Sequence, residues 1–178
     1  MSGVAAEYGK ALFLLAEEEG LTESVRSDVL VLKGVLKQNP ETSALMDTPA
    51  IPKEERLAVI DRAFGGLNGL LVNTAKLLAE RHTFYLLPSV LDVFLSQYDT
   101  SFGIERAEVI SARALTEEQL SRLRERLERE TGKTIIINAV CDPSILGGVK
   151  LRYMGKQLDG SVRARLDRLE RQLADTVV

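Results

Sequence analysis

Val90-Leu91-Asp92-Val93-Phe94-Leu95-Ser96-Gln97-Tyr98, followed across Gly103 by Ala107-Glu108-Val109-Ile110-Ser111, is the passage in which the hydrophobic period changes. Before the glycine, Val90, Leu91, Phe94, Leu95 and Tyr98 recur at the three-and-four spacing of a helix with one apolar face. After it, Ala107, Val109 and Ser111 alternate with Glu108, Ile110 and Ala112, which is the two-residue period of a short strand. Helix and strand bury apolar surface of different shape, so the change marks two cores rather than one. The reading is an α+β chain of two domains, a helical bundle over residues 1–104 and a small α/β domain over residues 105–178.

Charge and aromatic content divide at the same place. Residues 1–104 carry 9 Lys+Arg against 14 Asp+Glu, net −5, whereas residues 105–178 carry 14 against 12, net +2. Every aromatic residue except Tyr153 precedes Gly103. Working back from the glycine, Leu57, Ile60 and Phe64 form one helical stripe, and Val25, Val29, Leu32 and Leu36 another. Breaks fall at Gly20, Asn39-Pro40, Pro49-Ala50-Ile51-Pro52, Gly65-Gly66 and around Thr83 to Pro88, giving five or six helices.

Working forward, Thr116-Glu117-Glu118-Gln119 has the form of a capping box, with Leu115 and Leu120 placed as a hydrophobic staple. The helix it opens carries Leu120, Leu123 and Leu127 and stops at Gly132. Thr134-Ile135-Ile136-Ile137-Asn138-Ala139-Val140 is β-branched and strand-like, Asp142-Pro143-Ser144 is a turn, and Val149, Leu151 and Tyr153 alternate with Lys150 and Arg152. A last helix after Asp159 has Val162, Leu166, Leu169 and Leu173 on one stripe. The second domain is therefore expected in the order β-α-β-β-α.

Composition removes several classes of function. At 178 residues, 45% hydrophobic and 28% charged with a net charge of −3, the chain is that of a packed protein. No apolar run approaches the roughly 18 residues that span a bilayer, and no signal or transit segment is evident, so the chain is expected to work where it is made. Its one cysteine, Cys141, forms no internal disulfide and reads as a small buried residue closing a strand. Its one histidine, His82, rules out a Cys/His metal cluster and leaves a single candidate base with no nucleophile pattern beside it. Beside Arg81 at a helix end, it reads as a capping or surface cation. Gly65-Gly66-Leu67-Asn68-Gly69 lacks the Gly-Lys-Ser/Thr ending of a phosphate loop, and Gly147-Gly148 precedes a strand, so the first reads as a helix break and the second as a bulge or close backbone approach. No cofactor and no metal is expected.

Nucleic acid fits poorly as a partner. Glu118 and Arg122, Glu125 and Arg129, and Arg126 and Glu130 are i, i+4 pairs that compensate charge within their own helix. Arg163, Asp167 and Arg171 repeat the pattern, leaving Arg165 and Arg168 less accompanied. With Tyr153 as the one aromatic of this half, there is no stacking platform.

Two helices of the bundle carry more apolar surface than one-sided packing needs. After Gly66, Leu67, Leu70, Leu71, Val72, Ala75, Leu77, Leu78 and Ala79 cover roughly 220° of the wheel, where a stripe a little over 100° suffices. In the first helix, Val4, Tyr8, Ala11, Leu12 and Leu15 make one stripe while Phe13 and Leu14 point elsewhere. Either both helices lie in the middle of the bundle or they share an exposed groove that a partner fills.

The order and spacing of several short motifs resemble a known family. Glu7-Tyr8-Gly9-Lys10-Ala11-Leu12-Phe13, Ala79-Glu80-Arg81-His82 with Leu87-Pro88 and Phe94, Val109-Ile110-Ser111-Ala112-Arg113-Ala114-Leu115, Asp142-Pro143-Ser144-Ile145-Leu146-Gly147-Gly148-Val149 and Asp159-Gly160-Ser161-Val162-Arg163-Ala164-Arg165-Leu166 together resemble the δ subunits of F-type ATP synthases, whose mitochondrial members are called the oligomycin-sensitivity-conferring protein. Gly9 departs from the family's usual alanine, at a helix cost of about 1 kcal/mol.

The resemblance implies a non-catalytic subunit of the peripheral stalk. It implies an N-terminal six-helix bundle on the α₃β₃ catalytic head, with a groove between the first and fifth helices that takes an N-terminal helix of an α subunit. Tyr8, Ala11 and Leu15 on the first helix and Leu70, Thr74 and Leu77 on the fifth are the expected lining. It implies a C-terminal domain on the C-terminal ends of the membrane-anchored b subunits, for which the expected surface is Val162, Leu166, Leu169 and Leu173 with Arg165 and Arg168 ready to pair with acidic residues; the same stripe also reads as cover for the small sheet. The implied place is the cytoplasmic face of a bacterial inner membrane, reached only through the complex, in a role that resists rotor torque during ATP synthesis.

Overall fold

The computed structural model describes residues 3–145, 147–153 and 155–159. They divide between Ser101 and Phe102 into two compact units.

The first unit is helical: α1 (Gly3–Glu18), α2 (Thr22–Gln38), α3 (Glu41–Asp47), α4 (Lys53–Phe64), α5 (Gly69–Glu80) and α6 (Leu87–Ser101), with a 3₁₀ turn at Phe84–Leu86 leading into α6. The stripes legible in the sequence are the buried faces. Val25, Val29, Leu32 and Leu36 of α2 are inside, as are Val90, Leu91, Phe94, Leu95 and Tyr98 of α6. Burying a Val, Leu or Phe side chain contributes about 1.5–3 kcal/mol, so these faces supply most of what holds the unit together. The breaks follow local chemistry. Gly20 adopts a φ of 68°, open to glycine without a Cβ clash, and ends α1. Gly65 closes α4 by donating its N–H to the Asp61 carbonyl at 2.9 Å, and Asn68 starts α5 by accepting from the Leu70 N–H at 2.9 Å.

The entry to α6 is held from a distance. Asp47, at the end of α3, accepts from the Phe84 N–H at 2.7 Å and the Tyr85 N–H at 2.8 Å, so one carboxylate satisfies two amides of the 3₁₀ turn that leads into α6. Arg56 of α4 is buried beside this cap, where its Nη1 donates to the Met46 carbonyl at 3.2 Å and lies 2.7 Å from His82 Nδ1. Its Nε meets no acceptor among the described residues. His82, exposed and with a φ of 53°, lays its ring against Arg56 and the Asp47 carbonyl, so it joins α3, α4 and the end of α5 instead of acting as an isolated surface cation.

A second polar contact ties α2 to α6. The buried Tyr98 hydroxyl donates to the Glu23 carboxylate, and the Arg26 guanidinium lies 4.9 Å from the Tyr98 ring centroid. The hydrogen bond to Glu23, followed by burial, holds the Tyr98 phenol above the ordinary tyrosine range.

The second unit comprises β1 (Ile104–Ser111), α7 (Glu117–Thr131), β2 (Thr134–Cys141), β3 (Val149–Tyr153) and β4 (Lys156–Asp159). The sheet order is β2-β1-β3-β4. β1 and β2 run parallel, joined through α7, and β3 and β4 are each antiparallel to the preceding neighbour in that order. The period of two in β1 is visible in the burial of Ala107, Val109 and Ser111. Ala107 and Val109 form a core with Leu127, Ile135 and Leu151. The capping box is present: Thr116 Oγ1 accepts from the Gln119 N–H at 3.3 Å, and Gln119 Oε1 accepts from the Thr116 N–H at 3.0 Å.

Two expectations change. Lys156-Gln157-Leu158-Asp159 forms the additional strand β4, although its residues lack a β-branched alternation; pairing with β3 and the turn at Gly155, φ 69°, make it a strand. Cys141 is exposed, not buried, because β2 runs outward from the core over Asn138–Cys141; its thiol donates to the Ala112 carbonyl at 3.7 Å. The helix expected after Asp159 lies outside the described residues.

Two outcomes are expected. Asp47→Ala leaves two amides of the 3₁₀ turn before α6 without their carboxylate and lowers unfolding free energy in urea by about 2 kcal/mol. In an alkaline ultraviolet titration, Tyr98 ionises above the ordinary tyrosine range, and Glu23→Gln brings it down. Because the folded phenol's pKa is raised, its contribution to stability is present below the ordinary tyrosine value and is lost as pH rises through the raised one.

Candidate functional site

α1 packs against α6, α5 and α2, and α5 against α4, α1 and α2, so the two over-apolar helices are neighbours. Neither is buried all round. The inner face of α1 is Ala5, Gly9, Leu12, Phe13 and Ala16. Leu12 therefore belongs to the core face, and Phe13, which meets the Phe94 ring edge-on at 5.9 Å between centroids, is inside and not in surplus. What remains outside is Leu14, 60% exposed and off to one side, and a stripe at i, i+4, i+7 and i+11: Val4, 45% exposed, half-buried Tyr8, exposed Ala11 and Leu15, 46% exposed. It lies roughly 110° round the wheel from the middle of the buried face.

α5 repeats the arrangement. Leu71, Val72, Ala75, Leu78 and Ala79 are buried, while Leu70 and Thr74 are half-buried and Leu77 is 39% exposed. Thr74 donates its hydroxyl to the Leu70 carbonyl at 2.8 Å, which engages the polar atom within the helix. Two ion pairs hold α5 to α4, Lys76 with Asp61 at 2.6 Å and Lys53 with Glu80 at 3.2 Å. No charged residue falls within Val4/Tyr8/Ala11/Leu15 or Leu70/Thr74/Leu77. Two uncharged stripes on touching helices are a surface suited to the apolar face of a third helix.

Val4, outside the expected lining, continues the exposed stripe of α1 by one turn. Val162, Arg165, Leu166, Arg168, Leu169 and Leu173 lie outside the described residues.

The second unit holds an open cavity of about 700 Å³ along the sheet, lined in part by Glu108, Asn138, Arg152, Tyr153 and Gln157. Across it, Arg152 pairs with Glu108 at 3.2 Å and donates to Gln157 Oε1 at 3.3 Å. On α7, Arg122 pairs with Glu118 at 2.6 Å and Arg126 with Glu130 at 3.1 Å, while Arg129 Nε donates to the Glu125 carbonyl oxygen. Among the described residues, no group of three metal-ligating side chains converges. No helix among them is long and apolar enough to cross a membrane.

Comparison with known proteins gives this surface its context. The family model of the ATP synthase delta (OSCP) subunit matches residues 4–173. The chain belongs to that family. Among family relatives, the ATP synthase subunit delta of Geobacillus sp. (strain WCH70) is 33% identical over 171 residues, covering 96% of each chain. That of Rhizobium etli is 34% identical over 178 residues, covering 98% of this chain and 94% of its own. In solved structures, a chain of the Toxoplasma gondii mitochondrial ATP synthase hexamer has the same fold, with a TM-score of 0.76 and 23% identity over 97% of this chain and 98% of that one. The family match runs through both the helical unit and the α/β unit.

Proposed function

We propose that the chain is a non-catalytic subunit of a proton-translocating F-type ATP synthase, acting in the peripheral stalk between the α₃β₃ head and the membrane-anchored b subunits. Family membership over nearly the whole length supports its place in the complex. The single observation that supports the linking role is the pair of uncharged stripes on α1 and α5. Tyr8, Ala11, Leu15, Leu70, Thr74 and Leu77 receive an amphipathic N-terminal helix of an α subunit, with Ala11 and Thr74 small enough to let it approach closely.

The physical demand on such a subunit is durable attachment under torque, with no turnover. A helix docked by its apolar face meets that demand, because burial of well-packed aliphatic and aromatic side chains slows dissociation. The α/β unit makes the other attachment, to the C-terminal ends of the b subunits, through the stripe Val162/Leu166/Leu169/Leu173 with Arg165 and Arg168. In a bacterial cell the work is done at the cytoplasmic face of the inner membrane, with membrane association only through the complex and with neither nucleic acid nor cofactor required.

Titration calorimetry of the chain with a peptide of about the first 20 residues of its cognate α subunit is expected to show one-to-one binding. Leu77→Asp places a charge in the apolar stripe and should weaken binding by at least about 100-fold, near 2.7 kcal/mol. Because Leu77 is partly exposed, the same change costs the fold at most about 1 kcal/mol. Absence of peptide binding to the unaltered chain would overturn the groove.

A further inference from the structure

We propose that Gly9 is a positioning residue for the docking surface: its missing side chain lets α1 settle onto α6, and that depth sets where the Val4/Tyr8/Ala11/Leu15 stripe stands beside α5. The inference rests on the groove reading above and adds the feature that sets the groove's shape. Gly9 is buried in the middle of α1. A methyl group there would lie 2.5 Å from Val93 Cβ, 2.7 Å from Val93 Cγ1 and 2.7 Å from the Val90 carbonyl oxygen. The first two contacts are far inside the roughly 3.5–4.0 Å at which carbon atoms rest. The oxygen is part of the α6 backbone, so no change of rotamer moves it aside.

Ala5 and Ala16, both fully buried, continue the same inner face, so small residues alternate there with Leu12 and Phe13. Phe13 fixes the rotation of α1 from one flank by its contact with Phe94. Glycine lowers helix propensity, and at this position it is the residue that permits the observed approach. Adding a Cβ must lift α1 from α6 by roughly 0.8–1.5 Å, the shortfall between the two carbon distances and ordinary contact. Tyr8 and Ala11 flank Gly9 on the same two turns and move with it, while α5 keeps its own ion pairs to α4. A gap of that size forfeits at least about a quarter to a half of each dispersion contact across an apolar interface.

The test uses the full chain and the same α-subunit peptide. Gly9→Ala is expected to bind about ten-fold more weakly at a temperature where circular dichroism shows it folded. Met46→Ala, a cavity in α3 away from both stripes, should lower the melting temperature and leave peptide affinity unchanged, which separates position from stability. Gly9→Ala with Val93→Gly removes the contacts to both Cβ and Cγ1, leaving that to the Val90 oxygen, and should recover part of the affinity; it is also the variant measured should the single change prevent folding. Wild-type affinity in Gly9→Ala, or no recovery in the double variant, overturns the proposal while leaving the groove intact. Failure of the unaltered chain to bind the peptide overturns the groove, and this inference with it.

Discussion

The burial of α1 on one side only is the constraint from which the rest of the helical unit follows. Its inner face of Ala5, Gly9, Leu12, Phe13 and Ala16 joins the core closely, with Gly9 against Val90 and Val93 of α6. Having met its core contacts with that face, α1 still carries Val4, Tyr8, Ala11 and Leu15 outside. α5 does the same with Leu70, Thr74 and Leu77. A single surface leucine needs no explanation; two uncharged stripes on helices in contact do, because apolar area left in water is stabilised when a partner covers it. The chain belongs to the ATP synthase delta family, and under the proposed function an α-subunit helix is that partner.

The parts of the fold legible in the sequence are those decided within a few residues. The change of period across Gly103 separates helical from alternating burial, and Thr116 with Gln119 forms the capping box from side chains three positions apart. Illegible were contacts between residues distant in the chain. Asp47 caps the turn before α6 from 37 and 38 positions away, and Arg56 reaches His82 across 26 positions. Nothing in Lys53-Glu54-Glu55-Arg56 marks the arginine as buried. β4 was missed for a related reason, since Lys156–Asp159 becomes a strand through its pairing with β3.

At the candidate site the wheel showed that α1 and α5 were over-apolar without showing which residues lay outside. Leu12 and Phe13 went to the core because packing on α6 chose the face, and a helical wheel carries no record of where the neighbouring helix lies. Gly9 looked like a departure that weakened the helix; its surroundings show a position with no room for a Cβ.

The two units have separate cores, one of helices and one of a four-stranded sheet with α7, which suits the two attachments proposed for the chain. The central claim is that the chain transmits no chemistry and holds one part of the enzyme still against another. Its most direct test is ATP synthesis driven by an imposed proton gradient in vesicles that carry the cognate enzyme, with and without this chain. The account predicts that synthesis requires the full chain while ATP hydrolysis by the catalytic head continues without it. Equal rates of synthesis in its presence and absence would contradict the account.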